Sequence, residues 1–211
     1  MNVTDILKVF PEVLDGGKGY HMIDDGGVEV EVGEYLWGLV RLLKPTHVLT
    51  TGIYTGVSDS YIGLALKENG YGTTDAIEYE EKHITRAKEL FIKLGIEYCV
   101  TTHLMSSLDF QPSHTYKLMF LDTEPAIRFA ELIRFFPYLE EGGFVFIHDC
   151  PRSMTQGNIN TDHPEVESWP FGNLPNEIIQ WERTGELKRV HFPNPRGMCG
   201  WYKSHRDDYK I

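Results

Sequence analysis

An α/β fold, with a parallel sheet covered by helices on both faces, is what this 211-residue sequence predicts. Three observations predict it. Short apolar runs alternate with segments of helical periodicity along most of the chain. Two of those runs, Tyr116 to Asp122 and Phe144 to Asp149, are apolar at nearly every position, as strands buried on both faces must be. No internal repeat, low-complexity tract or composition break divides the chain, so residues 1–211 are expected to form one domain.

Each element has a local reason. Leu36, Leu39, Val40 and Leu43 recur at helical spacing, predicting a helix over 34–43 that Pro45 ends. His47 to Thr50 is a short strand running into a glycine turn, and Val57 to Lys67 is a helix with Val57, Tyr61, Leu64 and Ala65 on one face. Gly70 and Gly72 break it before a strand over 73–79. Glu81 to Leu94 is the clearest amphipathic helix, with Ile84, Ala87, Phe91 and Leu94 on one face. Gly95 stands where a left-handed cap is expected. Strands follow over 97–104 and 116–122. Pro125 suits the first turn of the next helix, which carries Ile127, Ala130, Ile133 and Phe136 as its stripe until Pro137.

Gly142-Gly143 leads into the strand 144–149. Residues 150–174, rich in Pro, Asn, Asp and Gly, read as a lid-like loop, and residues 1–30 as an N-terminal cap segment. A helix over 175–183 then precedes two strands, 187–192 and 198–203, joined through P-N-P-R-G as a closing hairpin.

Composition narrows the function classes. A net charge of −11 argues against nucleic acid, because polyanions repel an acidic surface. No window approaches the roughly 18 apolar residues of a membrane span, and the N-terminus lacks a basic region followed by an apolar run. Cys99, Cys150 and Cys199 are far apart and form no CxxC pair, which suits buried thiols in a reducing compartment. A cytoplasmic location is expected, and a homodimer is an allowed assembly.

In an open parallel sheet, ligands bind beyond the carboxyl ends of the strands. The polar residues there are Thr50, Thr51 and Gly52, then Glu78, then Asp122, then His148 and Asp149, all expected to converge on one edge. The first turn, G-I-Y-T-G-V-S, runs from Gly52 through Tyr54 and Gly56 to Ser58. Its glycines let a ligand approach the backbone, and helix N–H groups favour acceptor atoms. Glu78 lies 26 residues past Gly52, where a carboxylate can bridge ribose hydroxyls; it equally suits a solvated acid opening a helix with Glu80 and Glu81. His148 has the pKa range of a general base, and equally that of a structural histidine bonded to Asp122. His163, Trp169, Phe171 and the segment from Tyr20 to Asp25 are candidates to cover the same edge.

V-L-T-T-G-I-Y-T-G-V-S resembles motif I of class I methyltransferases, especially small-molecule O-methyltransferases reading V-L-E-I-G-x-x-x-G-x-S. K-L-M-F-L-D, a helix, and then Y-L-E-E-G-G-F-V-F-I-H-D resemble that family's D-L-I-F-I-D and L-L-K-P-G-G-x-x-x-x-H-D blocks, in the macrocin and catechol O-methyltransferase branch. The resemblance covers Val30 to Pro151. It implies a Rossmann-like, doubly wound, mostly parallel seven-stranded sheet with a C-terminal antiparallel hairpin, and S-adenosylmethionine as cofactor. It places Thr50, Thr51, Gly52 and Gly56 around the methionine part and Glu78 on the ribose, with Tyr54 and Ser58 also in the cofactor site. Ser106 and Ser107 fall at the adenine, and Asp122 between cofactor and acceptor.

The sequence departs from the family at two cofactor acids. Thr50 replaces the motif I acid, so its hydroxyl would have to accept the methionine ammonium without charge assistance, and Ser106 replaces the acid after the third strand. Metal-dependent catechol-type relatives hold a divalent cation with Asp, Asp and Asn. Asp122 and Asp149 match the carboxylates, but Cys150 stands at the Asn, and a hard cation prefers oxygen. The family's catalytic lysine is absent from T-E-P-A-I. A divalent metal is therefore not assigned, although Asp122, His148 and Asp149 have the side chains for one.

The expected function is methyl transfer to a small-molecule acceptor, at a hydroxyl oxygen, with His148, Asp122 and Asp149 as catalytic residues. The alternative is a non-catalytic domain of the same fold with a degenerate cofactor site. A nicotinamide-linked oxidoreductase is disfavoured, because the turn lacks G-x-G-x-x-G spacing.

Overall fold

Apolar, β-branched runs and glycine-capped helices give the chain its elements, and a computed structural model describes them for residues 14–17, 19–24, 26–150, 174–192 and 196–205. Residues 151–173, with His163, Trp169, Phe171 and nearly all of the lid-like loop, lie outside the described residues, as does Asp25. The chain groups into two compact units, residues 1–111 and 112–211. Strands β3 to β9, defined below, form a seven-stranded, mostly parallel sheet, and the fold is Rossmann-like α/β.

The first unit opens with an antiparallel pair not foreseen from sequence, β1 (Leu14–Gly17) and β2 (Tyr20–Met22). Helix α1 (Val30–Leu43) starts four residues earlier than its stripe suggested. Then come β3 (His47–Thr51), α2 (Val57–Asn69), β4 (Thr73–Glu78), α3 (Glu81–Leu94) and β5 (Val100–Leu104). The three long strands are parallel, with β4 in the middle: Thr51 pairs with Ile77, and Glu78 with Leu104. The strand expected from residue 97 begins at Val100, because the Cys99 N–H turns back to the Ile96 carbonyl at 3.0 Å.

Helix α2 was expected to bury one face, yet every residue from Val57 to Leu66 is buried. Small residues allow it. A Cβ on Gly33 of α1 would collide with the Tyr61 ring, and one on Gly63 would meet Ile96 at 2.8 Å and Val100 at 3.2 Å. Helix α3 buries Ile84, Ala87, Leu90, Phe91 and Leu94, and Gly95 ends it at φ 63°.

The second unit contains β6 (Tyr116–Leu121), α4 (Arg128–Phe135), β7 (Leu139–His148), α5 (Asn176–Arg183), β8 (Leu187–Phe192) and β9 (Met198–Lys203). Strands β6 and β7 are parallel; β9 lies antiparallel between β7 and β8, which completes the C-terminal hairpin. Gly200 makes room there for Phe146, whose ring a Cβ would strike, and buried Trp201 donates its indole N–H to Glu182 at 2.7 Å.

Helix α4 corrects its expected stripe. Ala130 is exposed, and the buried face is instead Arg128, Phe129, Glu131, Leu132 and Phe135. Two charged residues sit on that inner face because both are bonded there. Glu131 accepts the Thr123 hydroxyl at 2.7 Å, and the Arg128 Nε–H donates to the Thr123 carbonyl at 2.6 Å.

Candidate functional site

In the first unit the glycine turn is tightly specified. Gly52, Tyr54 and Gly56 all take left-handed backbone, at φ 78°, 48° and 81°. Tyr54 does so without being glycine, and its N–H is held by Glu78 Oε2 at 3.1 Å. The Glu78 carboxylate also accepts the N–H groups of Tyr79 at 2.9 Å and Glu80 at 3.0 Å, with His83 Nδ1 3.5 Å from Oε2. Glu78 is buried, so it is not the solvated acid that its neighbours Glu80 and Glu81 suggested. It fastens the first turn to the end of β4.

Gly56 has a second reason to be glycine. A Cβ there would stand 2.8 Å from the Ala87 methyl and 3.0 Å from the Phe91 ring of α3. The hydroxyls of Thr51, Thr55 and Ser107 are buried and have no hydrogen-bond partner among the described residues. Ser58 is buried in the first turn of α2, and Ser106 Oγ accepts the Leu108 N–H at 3.3 Å. The N-terminal segment reaches the same turn, since a Cβ on Gly26 would touch the Tyr54 ring at 3.3 Å and one on Gly27 would lie 3.7 Å from Thr55 Oγ1.

Thr50, expected to accept a hydrogen bond from a ligand ammonium, is buried and donates its hydroxyl to Asp59 Oδ1 at 2.6 Å. A carboxylate is therefore present beside position 50, supplied nine residues later from α2. Asp59 carried no sequence signal, because an acid within a helix ordinarily faces water.

The second unit brings Asp122, His148 and Asp149 together, with one ligand atom of each lying within 4.8 Å of the others. His148 is wholly buried; its Nδ1 is 3.3 Å from Asp122 Oδ1 and 3.6 Å from Asp149 Oδ1. Asp149 follows β7 in left-handed backbone, at φ 49°. Two arginines complete the cluster, and neither was anticipated. Arg128 Nη2 lies 3.1 Å from Asp122 Oδ1 and 3.3 Å from Asp149 Oδ2, while its Nη1 donates to the His148 carbonyl. Arg196, read only as a turn residue, grips Asp149 with both arms, Nε at 2.6 Å from Oδ1 and Nη2 at 2.7 Å from Oδ2. Burial pushes the Asp149 carboxyl up, but the charges of His148, Arg128 and Arg196 outweigh it and bring it down to about 2.

Asp122 keeps one oxygen open. Its contacts to Arg128 and His148 both fall on Oδ1, and no hydrogen bond to Oδ2 is found among the described residues. The three cysteines are buried and free, and burial pushes the Cys99 thiol up to about 11. Among the described residues, no helix is long and apolar enough to cross a membrane.

Known proteins are similar to this chain in sequence and fold. Residues 49–150 match the model of a methyltransferase domain. A provisionally named O-methyltransferase from Mycobacterium sp. (strain JLS) is 27% identical over 150 residues, spanning 69% of this chain and 67% of the relative. Among solved structures, an O-methyltransferase from Bacillus cereus in complex with S-adenosylhomocysteine superposes with a TM-score of 0.70 at 13% identity, covering 96% of this chain and 90% of that one. The O-methyltransferase TomG from Streptomyces achromogenes, involved in tomaymycin synthesis and solved in complex with S-adenosylmethionine, gives 0.66 at 16% identity, covering 96% and 88%. Motif order, the domain match over residues 49–150 and the fold agree in making this chain similar to class I O-methyltransferases.

Proposed function

We propose that this protein transfers a methyl group from S-adenosylmethionine to a hydroxyl of a small-molecule acceptor. The single observation that carries the acceptor side is Asp122, whose Oδ1 is held by Arg128 and His148 while Oδ2 has no such bond among the described residues. S-adenosylmethionine, when bound, supplies the methyl group on its sulfonium. The first unit fits that cofactor through its glycine turn and the hydroxyls of Thr51, Thr55 and Ser107, unpartnered among the described residues. Gly52, Tyr54, Gly56 and Ser58 would border the methionine part. Glu78 Oε2, with one N–H bound, retains acceptor capacity for a ribose hydroxyl, and Ser106 and Ser107 would lie at the adenine. The complexes of the Bacillus and Streptomyces neighbours support the same cofactor.

On the acceptor side, Asp122 Oδ2 would accept the hydrogen bond of the hydroxyl and take up its proton. His148 is fully enclosed and acts through Asp122, donating Nδ1–H to Oδ1 and fixing which oxygen faces outward. It is a positioning residue. Asp149, held by two guanidiniums, keeps Arg128 in place rather than meeting the acceptor.

Calorimetric titration with S-adenosylmethionine and S-adenosylhomocysteine tests the cofactor. Absence of binding by either at millimolar ligand removes the methyl-transfer reading. A screen of small hydroxyl compounds, read by release of S-adenosylhomocysteine, tests the chemistry. Asp122→Asn is expected to lower turnover by about 100-fold or more while moving cofactor affinity far less. His148→Ala is expected to shift the pH profile of kcat as well as lower it. Unchanged turnover in Asp122→Asn removes that residue from the mechanism.

A further inference from the structure

Asp122, His148 and Asp149 offer two carboxylates and an imidazole close enough to share one ion, a set that suits a divalent cation by ligand type. Three of the four carboxylate oxygens are already taken, all but Asp122 Oδ2. Arg128 Nη2 sits between the two acids, 3.1 Å from Asp122 Oδ1 and 3.3 Å from Asp149 Oδ2. Its other donors are fixed as well, Nε on the Thr123 carbonyl and Nη1 on the His148 carbonyl, so the side chain cannot swing aside without leaving buried donors unpaired. Both oxygens of Asp149 also carry Arg196.

Charge agrees with geometry. The two carboxylates and two guanidiniums cancel, whereas a divalent ion placed among them would add two uncompensated positive charges beside two arginines. The ligand set therefore does not fit a resident metal. We propose that Arg128 stands in for a divalent cation: its guanidinium fills the position of positive charge among Asp122, His148 and Asp149 and makes this cluster metal-independent. The arginine reaches that position because it opens α4 on the buried face, directly behind the Asp122 strand end. Unlike an ion, a guanidinium cannot be lost to a chelator, and it presents fixed donors instead of open coordination positions.

The test uses Mn²⁺ alone, followed by the loss of its free electron-paramagnetic signal, and requires neither S-adenosylmethionine nor an acceptor. Its outcome is thus separate from that of the proposed reaction. The wild-type protein is expected to leave the Mn²⁺ signal unchanged. Arg128→Ala is expected to bind one Mn²⁺ about tenfold or more tighter than wild type, and its melting temperature should rise with added Mn²⁺. Arg196→Ala, which releases the Asp149 oxygens but keeps Arg128, is expected to stay blind to the ion. One-site Mn²⁺ binding by the wild type that Asp149→Asn abolishes would overturn the proposal. So would a folded Arg128→Ala protein that gains no affinity, or an Arg196→Ala protein that does. Should Arg128→Ala fail to fold, the wild-type and Arg196→Ala arms decide alone.

Discussion

Glu78 and Asp149 are both carboxylates at the carboxyl end of a buried strand, and they are held by opposite means. Three backbone N–H groups, from Tyr54, Tyr79 and Glu80, surround Glu78 in the first unit. Two guanidiniums, Arg128 and Arg196, surround Asp149 in the second. Backbone donors satisfy a carboxylate without cancelling its charge, and they work only while the turn that aims them keeps its shape. Guanidiniums cancel the charge and depend on side chains arriving from distant parts of the chain. The first unit consequently keeps a negative group suited to hydroxyl donors, and the second presents a neutralised cluster closed to cations.

The largest expected effect comes from breaking the charge-held region. Arg128→Ala leaves a buried acid, Asp149, and a half-buried one, Asp122, short of a partner and should cost about 3–5 kcal/mol in chemical denaturation at neutral pH. A loss below 1 kcal/mol would mean that the acids reach water and that the contrast with Glu78 is false.

The backbone-held region is broken through its shape. Gly56→Ala combines a left-handed residue with contact against Ala87 and Phe91, and should cost about 2–4 kcal/mol while weakening cofactor binding. Unchanged affinity in a folded variant would detach the turn from the ligand.

The smallest effect sharpens the comparison by pH. The folded-state pKa of Asp149 lies below its unfolded value, so its contribution is complete above that unfolded value. It is lost as pH falls from about 4 towards 2, and amounts to about 2 kcal/mol. The stability gap between wild type and Asp149→Asn should narrow across that window. A gap independent of pH would show that the guanidiniums do not hold the acid ionised.

The same contrast explains how much was legible beforehand. The glycine turn lies within seven residues, and strand ends follow from apolar runs, so Gly52, Gly56, Glu78, Asp122, His148 and Asp149 could be singled out from local pattern alone. The hairpin 187–192 and 198–203 was readable for the same reason. The bonding partners were not. Arg128 lies on the inner face of α4, where an all-apolar stripe was the natural guess, and the burial of Arg128 and Glu131 rotates that face away from Ala130. Arg196 sits 47 residues from Asp149, and Asp59 meets Thr50 only because α2 folds back along β3. An absent motif acid therefore did not mean an absent carboxylate. Periodicity reports which residues are apolar, whereas a paired charge inside a core leaves no periodic trace.

The burial of α2 on every side from Val57 to Leu66 has a consequence for kinetics. Amide protons in a helix with no water-facing edge cannot exchange through small local excursions; they wait for the surrounding unit to come apart. The turn from Gly52 to Gly56 leads directly into that helix, so its last residues are anchored to one of the slowest-opening stretches of the chain. Whatever adapts its shape when a ligand arrives, the downstream end of this turn is the part that should stay still.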